Sequence, residues 1–375
     1  MDLTIIPTYR CNSKCSMCHV WQHPTLPREE ITLDTLEKLP SNIDNCNISG
    51  GEPTLRDDLM DMVDLMVPKS RIMEISTNGL YAEKIVPIVK KYPNIKIRFS
   101  LDGFHETNNN VRGEKDGFNK KLNGMKLLIE AGGKDLGFGM TIQDDNVKQL
   151  EGIWNLCREI GVDFATSTLH NGFQFHKSDN YFWSRIKVAK GIEKLIEQQL
   201  KSWKVKHWFR GYLNLGLIEK ILGHDRLISC TAGEEFVFID PWSDVWACNV
   251  RNDLLLGNIQ DQNWEEIWMG ETVKRIRENV SVCKQNCWMV TTARTAMRNT
   301  RIPQLPKMTV FKWVLLNKLM VSFGKSINFE AYIDYNKVYS DENTGNREKF
   351  LHRSVKKRIT RKSEPHYQFG QFYNR

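Results

Sequence analysis

The sequence predicts an α/β fold built on a parallel sheet. Short apolar runs alternate with helical patterns through the first 170 residues, and several of those helices end at Gly or reach Pro soon afterwards. Six strand–helix alternations in a row call for crossover connections, which is how parallel strands are joined. No Gly-rich phosphate loop opens the first helix, which disfavours a dinucleotide-binding sheet.

The strands are expected at 3–6 (LTII), 45–49 (NCNIS), 71–76 (RIMEIS), 95–100 (IKIRFS), 136–142 (LGFGMTI) and 163–169 (DFATSTL). The helical stretches between them are TLDTLEKL, DDLMDMVDLM, AEKIVPIVKKY, GFNKKLNGMKLLIEAG and DNVKQLEGIWNLCREIG. Sites in parallel α/β folds lie at the carboxyl ends of strands, so the residues after each strand carry the chemistry. Strand one is followed by PTYRCNSKCSMCHVW, with Cys11, Cys15 and Cys18. Strands two, three and four are followed by Gly50-Gly51-Glu52-Pro53, Thr77-Asn78-Gly79 and Leu101-Asp102-Gly103. Each of the last two is ordinary turn chemistry alone. Four such segments at consecutive strand ends point to one site.

Three cysteines without a fourth fit two arrangements. One is a zinc site borrowing a histidine, and the other is a cluster left one ligand short. His23 is the zinc candidate, since His19 directly follows Cys18 and adjacent residues rarely converge on one tetrahedral ion.

Composition narrows the class. Apolar residues are 41% and charged residues 26%, as in soluble globular proteins. Nine cysteines, an odd number scattered over a large chain, suit metal binding or catalysis in a reducing compartment better than a disulfide framework. The start, MDLTIIPTYR, is too short and polar for a signal peptide, and no run reaches the roughly 18 apolar residues of a membrane span. A cytoplasmic protein is expected. Residues 289–375 hold 17 Lys+Arg against 6 Asp+Glu, whereas 1–288 hold 36 against 39. The cationic excess belongs to the tail, and the body carries no footprint for nucleic acid.

The C-x3-C-x2-C trio with GGEP, STNG and SLDG resembles the radical S-adenosylmethionine (SAM) superfamily. The resemblance implies a partial (β/α)6 TIM-like barrel and a [4Fe–4S] cluster on Cys11, Cys15 and Cys18. Its open iron would be chelated by the amino and carboxylate groups of SAM. Reduction by an external donor such as flavodoxin or ferredoxin would then release methionine and a 5′-deoxyadenosyl radical that abstracts hydrogen from substrate. By the same resemblance, the backbone of Gly50, Gly51 and Pro53 together with Glu52 would receive the methionine amino group. Ser76, Asn78, Ser100 and Asp102 become candidates for the ribose and carboxylate, and Arg112 for a bidentate carboxylate contact. The family often has an aromatic residue where Met17 stands, which can pack on adenine as a soft apolar contact.

A second cysteine set runs from Cys230 to Cys248 and from Cys283 to Cys287. EFVFI, a polar turn at DPWSD and VWAC read as a hairpin, and WEEIWMGETVKRIREN follows as an amphipathic segment. These features resemble the C-terminal SPASM and twitch domains that hold auxiliary clusters. A full SPASM pattern needs seven cysteines, so four imply a twitch-like arrangement with one auxiliary [4Fe–4S] cluster. Spacing alone also admits zinc. Ser243 stands where the family usually has Gly. Cys46 and Cys157 read as buried small hydrophobes.

The expected organisation is a radical SAM core at 1–175, a helical bridge at 176–229, the auxiliary domain at 230–290 and a basic extension at 291–375. YFWSRIKVAKGIEKLIEQQLKSWKVKHWF is expected as one Lys-rich amphipathic helix. TVFKWVLLNKLMVSFGK (309–325) and HRSVKKRITRK (352–362) would allow peripheral membrane contact through the tail. A module of the kind that recognises leader peptides is not expected ahead of Cys11. The expected activity is therefore oxidation or epimerisation of a small polyol, sugar or nucleotide-sugar. The alternatives are a maturase acting on a ribosomally made peptide and a non-enzymatic zinc scaffold.

Overall fold

The computed structural model describes residues 1–298, 306–329 and 333. HRSVKKRITRK lies outside the described residues. One nine-stranded sheet organises the chain: β1 (Asp2–Ile5), β2 (Asn45–Ile48), β3 (Met73–Thr77), β4 (Lys96–Ser100), β5 (Asp135–Ile142), β6 (Asp163–Thr168), β7 (Phe236–Ile239), β8 (Asp244–Trp246) and β9 (Leu255–Asn258). The order is β6-β5-β4-β3-β2-β1-β7-β8-β9, so β6 and β9 are the edges and the sheet does not close. The six expected strands fall within two residues of their predicted ends. They were legible because parallel strands covered on both faces read as continuous apolar runs. Ile5, Ile48, Ile75, Ile97, Phe99 and Phe138 are fully buried in one core with the covering helices.

The hairpin departs from expectation in where it sits. Instead of standing apart, β7 joins β1 in parallel, with Asp2 opposite Phe236 and Ile5 opposite Ile239. β8 and β9 then add antiparallel strands. An isolated hairpin is marginal in water, and β1 would otherwise be an open edge. In the β7–β8 turn Ser243 takes φ 71°, the left-handed conformation that Gly accepts more easily. Asp240 braces this turn, its Oδ1 accepting from the backbone N–H of Trp242 and Asp244 and its Oδ2 from Trp246 Nε1, each at 3.0 Å.

Three helical segments also differ. His105–Arg112 is an additional helix whose sequence, HETNNNVR, has no apolar period to betray it. The single long helix of the bridge is two, Arg185–Lys201 and Val205–Leu222, packed on one another. Trp208 Nε1 donates to Ser202 O (2.6 Å) across the break. The Trp-rich segment divides at Gly270 into Trp264–Met269 and Glu271–Ser281.

At the start of β6, Asp163 pairs with Arg98, Lys206 and Arg210. Burial opposes its ionisation, yet Arg210, Lys206 and Arg98 hold its carboxyl down at about 2. A carboxylate depressed in the folded state stabilises above its unfolded pKa and loses that contribution as pH falls to the folded value. Asp163→Asn should therefore cost about 2 kcal/mol at neutral pH. The gap to wild type should close between about pH 4 and pH 2. Urea titrations across that range test it, and a pH-independent gap would assign the effect to packing.

Candidate active site

The cysteine loop leaves β1 and is clamped from two sides by groups that are not cysteines. Beneath its start, Glu30 is buried and its Oε1 accepts from Thr8 Oγ1 (2.5 Å), Thr25 Oγ1 (2.7 Å) and Arg10 Nε (2.8 Å). Its Oε2 accepts from Arg10 Nη2 (2.8 Å) and Arg56 Nη1 (3.2 Å). Burial works against this carboxylate, but the Arg10, Thr8 and Thr25 bonds keep it below the ordinary range. On the far side, Lys14 N donates to Arg112 O and Ser16 N to Val111 O, both at 2.9 Å. Ser13 Oγ donates to Glu114 Oε1 (2.7 Å), and the fully buried Lys121 donates to Glu114 Oε2 (2.5 Å).

The glycines of GGEP allow this segment to lie against the same loop. Gly51 N donates to Thr8 O (2.9 Å) and Glu52 N to Arg10 O (2.8 Å). A Cβ on Gly51 would come within 2.3 Å of Arg10 O, so only glycine fits.

Above the strand ends lies a cavity of about 320 Å³. Cys11, Cys15 and Cys18 line it together with Met17, Gly50, Gly51, Ser76, Asn78, Ser100 and Arg112. Pro53, Glu52 and Asp102 do not line it. Pro53 is buried at the start of the short 3-10 turn Pro53–Leu55. Glu52 turns its carboxylate under the loop, where Oε1 accepts from Thr54 N (3.0 Å), Thr54 Oγ1 (2.6 Å) and Thr77 Oγ1 (2.6 Å) and Oε2 from Asn78 N (2.7 Å). It thereby ties the second strand end to the third. Asp102 is likewise buried, accepting Arg112 Nε on Oδ2 (2.7 Å) and Thr141 N on Oδ1 (2.6 Å). It orients Arg112, whose Nη1 lies 3.8 Å from Cys15 Sγ and whose Nη2 has no hydrogen-bond partner among the described residues.

Glu52→Ala would strand buried donors from three residues, each worth about 1–3 kcal/mol when left unpaired. The expected outcome is a loss of about 2–4 kcal/mol in stability. Chemical denaturation and calorimetric SAM binding on the same sample separate this from a direct contact. Unchanged stability with lost binding would return Glu52 to the cofactor.

The thiols suit a group that binds thiolates. Burial pushes Cys11 and Cys18 up to about 12, and the neighbouring Cys15 adds to both shifts. Three such sulfurs hold thiolate charge only against a cation, so loading the site releases protons. Among the described residues no three His, Cys, Asp or Glu side chains form a closed single-ion site. The zinc alternative loses its fourth donor, because His23 is off the cavity wall and stacks on His176 with ring centroids 4.5 Å apart. His19 Nε2 is 3.2 Å from Lys177 Nζ.

Cys230, Cys248, Cys283 and Cys287 are also gathered. Burial pushes Cys248 up to about 12, with Cys287 and Cys230 adding to it. Cys230 is raised by burial and by Cys287 and Cys283. Arg226 Nη1 lies 3.6 Å from Cys287 Sγ. Cys46 and Cys157 are buried in β2 and in the helix Leu150–Glu159, away from both sets.

Part of the cavity wall escaped the sequence. Thr141, Ser167, Thr168 and His170 come from the ends of β5 and β6, and Met289–Thr291 come from the chain just after Cys287. The last contribution brings the chain that follows the second cysteine set to the cavity lined by the first. Lys220 is half-buried in the second bridge helix and donates to Leu169 O (2.6 Å), Thr168 Oγ1 (3.2 Å) and His170 Nδ1 (2.7 Å). Burial lowers Lys220 to about 7 and keeps His170 neutral. With Nδ1 accepting, the His170 proton sits on Nε2, which is buried without a hydrogen-bond partner.

Comparison with known proteins follows the same division. The family model for the radical SAM superfamily matches residues 5–157, and that for the SPASM iron–sulfur cluster-binding domain matches 230–288. The chain is 26% identical over 292 residues to a probable GTP 3′,8-cyclase of Sulfurisphaera tokodaii, covering 74% of this chain and 90% of that one. It is 28% identical over 293 residues to the mycofactocin maturase MftC of Mycolicibacterium smegmatis, covering 72% and 71%. Among solved structures, native anSMEcpe with bound AdoMet and the Cp18Cys peptide superposes with TM-score 0.54 at 17% identity, over 86% of this chain and 99% of that one.

A partial parallel barrel with three cysteines at the end of its first strand defines the class: residues 5–157 are a radical SAM domain. Within that class, this is a radical SAM enzyme with a C-terminal SPASM domain, whose cofactors are [4Fe–4S] clusters and S-adenosylmethionine.

Proposed function

We propose that this chain is a maturase that modifies a side chain of a ribosomally made peptide. The cavity volume carries the reading. At about 320 Å³ it stands at the small end of ligand cavities, which run from about 300 to 1,000 Å³. SAM and the cluster would fill a volume of this size, so a substrate would reach it with its reacting end only, not as a whole nucleotide-sugar. A side chain presented from an extended peptide meets that limit. The relationship to a mycofactocin maturase supports the same choice over the polyol or sugar oxidation expected from sequence.

In this reading Cys11, Cys15 and Cys18 hold the cluster that binds SAM, and the Gly50–Gly51 backbone, Ser76, Asn78, Ser100 and Arg112 Nη2 contact SAM. Cys230, Cys248, Cys283 and Cys287 hold the auxiliary cluster. When bound, these groups supply one-electron cleavage of SAM and hydrogen abstraction from carbon. The chain's own part is orientation: Asp102 aims Arg112, and Lys220 sets the His170 tautomer so that Nε2–H can donate to the substrate. Residues 1–175 form the core, 176–229 the bridge, 230–290 the auxiliary domain and 291–375 the extension. The setting is cytoplasmic with a flavodoxin or ferredoxin as donor; among the described residues no helix is long and apolar enough to cross a membrane.

The test is anaerobic incubation of the reconstituted enzyme with SAM, a reductant and short peptides encoded beside its gene, followed by mass spectrometry. A mass change on a peptide, with matching 5′-deoxyadenosine, is expected. Turnover of nucleotide-sugars or nucleotides and none of any peptide would restore the small-molecule reading, which the relationship to a GTP cyclase keeps as the competing outcome.

A further inference from the structure

The helix Pro306–Ser322 is apolar on two opposite faces. One face, with Val310, Val314 and Val321, is buried against the bridge helices. Lys318 fixes the docking by donating to Leu200 O (2.6 Å) and lying over the rings of Trp203 and Trp208. The other face carries Phe311, Leu315, Leu316, Leu319 and Met320, each about 40–50% exposed, and Phe323 just beyond its end at 81%. Trp203, in the turn between the bridge helices, is 92% exposed. So large an apolar patch on a water-facing surface calls for an occupant.

Charge identifies the occupant. Lys312 and Lys325 are exposed, and residues 306–329 contain no acidic residue. The neighbouring turn, KSWKVK at 201–206, exposes Lys201 and Lys204 beside Trp203 and Val205. Farther along the sequence comes HRSVKKRITRK. A second copy placed on this face would set cationic rim against cationic rim, which like-charge repulsion disfavours. The patch is also a convex helix face rather than a groove, and its two most exposed side chains are aromatic. Lysines around a Phe- and Leu-bearing face are what an anionic lipid surface accepts, with the rings in the headgroup boundary and the ammonium groups on phosphate.

We propose that the exposed face of helix Pro306–Ser322, with Trp203 and Phe323 at its rim, docks the enzyme on anionic membrane surfaces without crossing them. Nothing in this depends on which substrate the cavity takes. Purified full-length protein should co-sediment with vesicles of phosphatidylcholine containing about a third phosphatidylglycerol, less so as salt rises, and much less with phosphatidylcholine alone. Leu316→Glu with Leu319→Glu, both on the exposed face, should weaken that binding about tenfold or more while circular dichroism and iron content stay unchanged. Trp203→Ser should weaken it without adding charge, which guards against the double variant acting through misfolding or repulsion alone. Three results would overturn the proposal: no binding to anionic vesicles, variants that bind as wild type does, or a wild-type dimer in light scattering that the Glu variants convert to monomer. The last would give the face to a second copy.

Discussion

Replacing Cys11, Cys15 and Cys18 together by Ala is expected to lower the iron of the anaerobically reconstituted protein from about eight atoms per chain to about four and to abolish SAM cleavage. The variant should still fold, because the loop is held by other groups. Glu30 anchors its start through Thr8, Thr25 and Arg10, and Glu114 anchors its middle through Ser13. Gly51 and Gly113 lie against its backbone, where a Cβ would come within 2.3 Å of Arg10 O and 2.6 Å of Lys14 O. Removing three half-buried thiols from the cavity wall leaves those contacts intact. Iron analysis, zinc analysis and chromatography of 5′-deoxyadenosine on one preparation decide the matter. A wild-type protein that saturates with zinc and never takes iron would overturn the assignment of both sites.

The strands and the four strand-end motifs were legible because each is a local pattern. An apolar run bounded by turn residues reports its own burial, and cysteine spacing reports its own loop. What stayed hidden depends on where a side chain turns after the backbone is placed. GGEP at a strand end does not say whether the Glu52 carboxylate faces the cavity or turns beneath the loop. The hydroxyls of Thr54 and Thr77 decide it, and Thr77 belongs to another strand. Asp102 turned inward for a comparable reason, since Thr141 N and Arg112 Nε offer its two oxygens one donor each.

Distance in sequence hid the remainder. His170 gains its Nδ1 partner from Lys220, fifty residues away in a helix whose Lys content reads as a solvated face. Thr141 and Ser167 are unremarkable polar residues in strands until β5 and β6 pair and bring their hydroxyls within 3.2 Å. The placement of the auxiliary hairpin was equally illegible. Nothing local in FVFI says that its partner is the first strand of the chain.

Cys248→Ala is expected to stop product formation while leaving some reductive cleavage of SAM, because the cysteines lining the cavity at the first strand end are a separate set. Cys248 stands just past β8, and metal-binding free energy can be folding free energy in a small ligated domain. The sheet limits that risk on one side of the site: β7 is hydrogen-bonded to β1 along its whole length, and Phe236, Val237, Phe238 and Ile239 are fully buried. The segment holding Cys283 and Cys287 has no such strand, so loosening should begin there and reach the cavity through Met289, Val290 and Thr291. Uncoupled cleavage and folding must therefore be read together, by 5′-deoxyadenosine yield and circular dichroism on the same sample. A folded Cys248→Ala enzyme that makes product at the full rate would reduce the second cluster to a structural staple. A folded variant that makes 5′-deoxyadenosine without product would place the electron of the substrate radical on the auxiliary site.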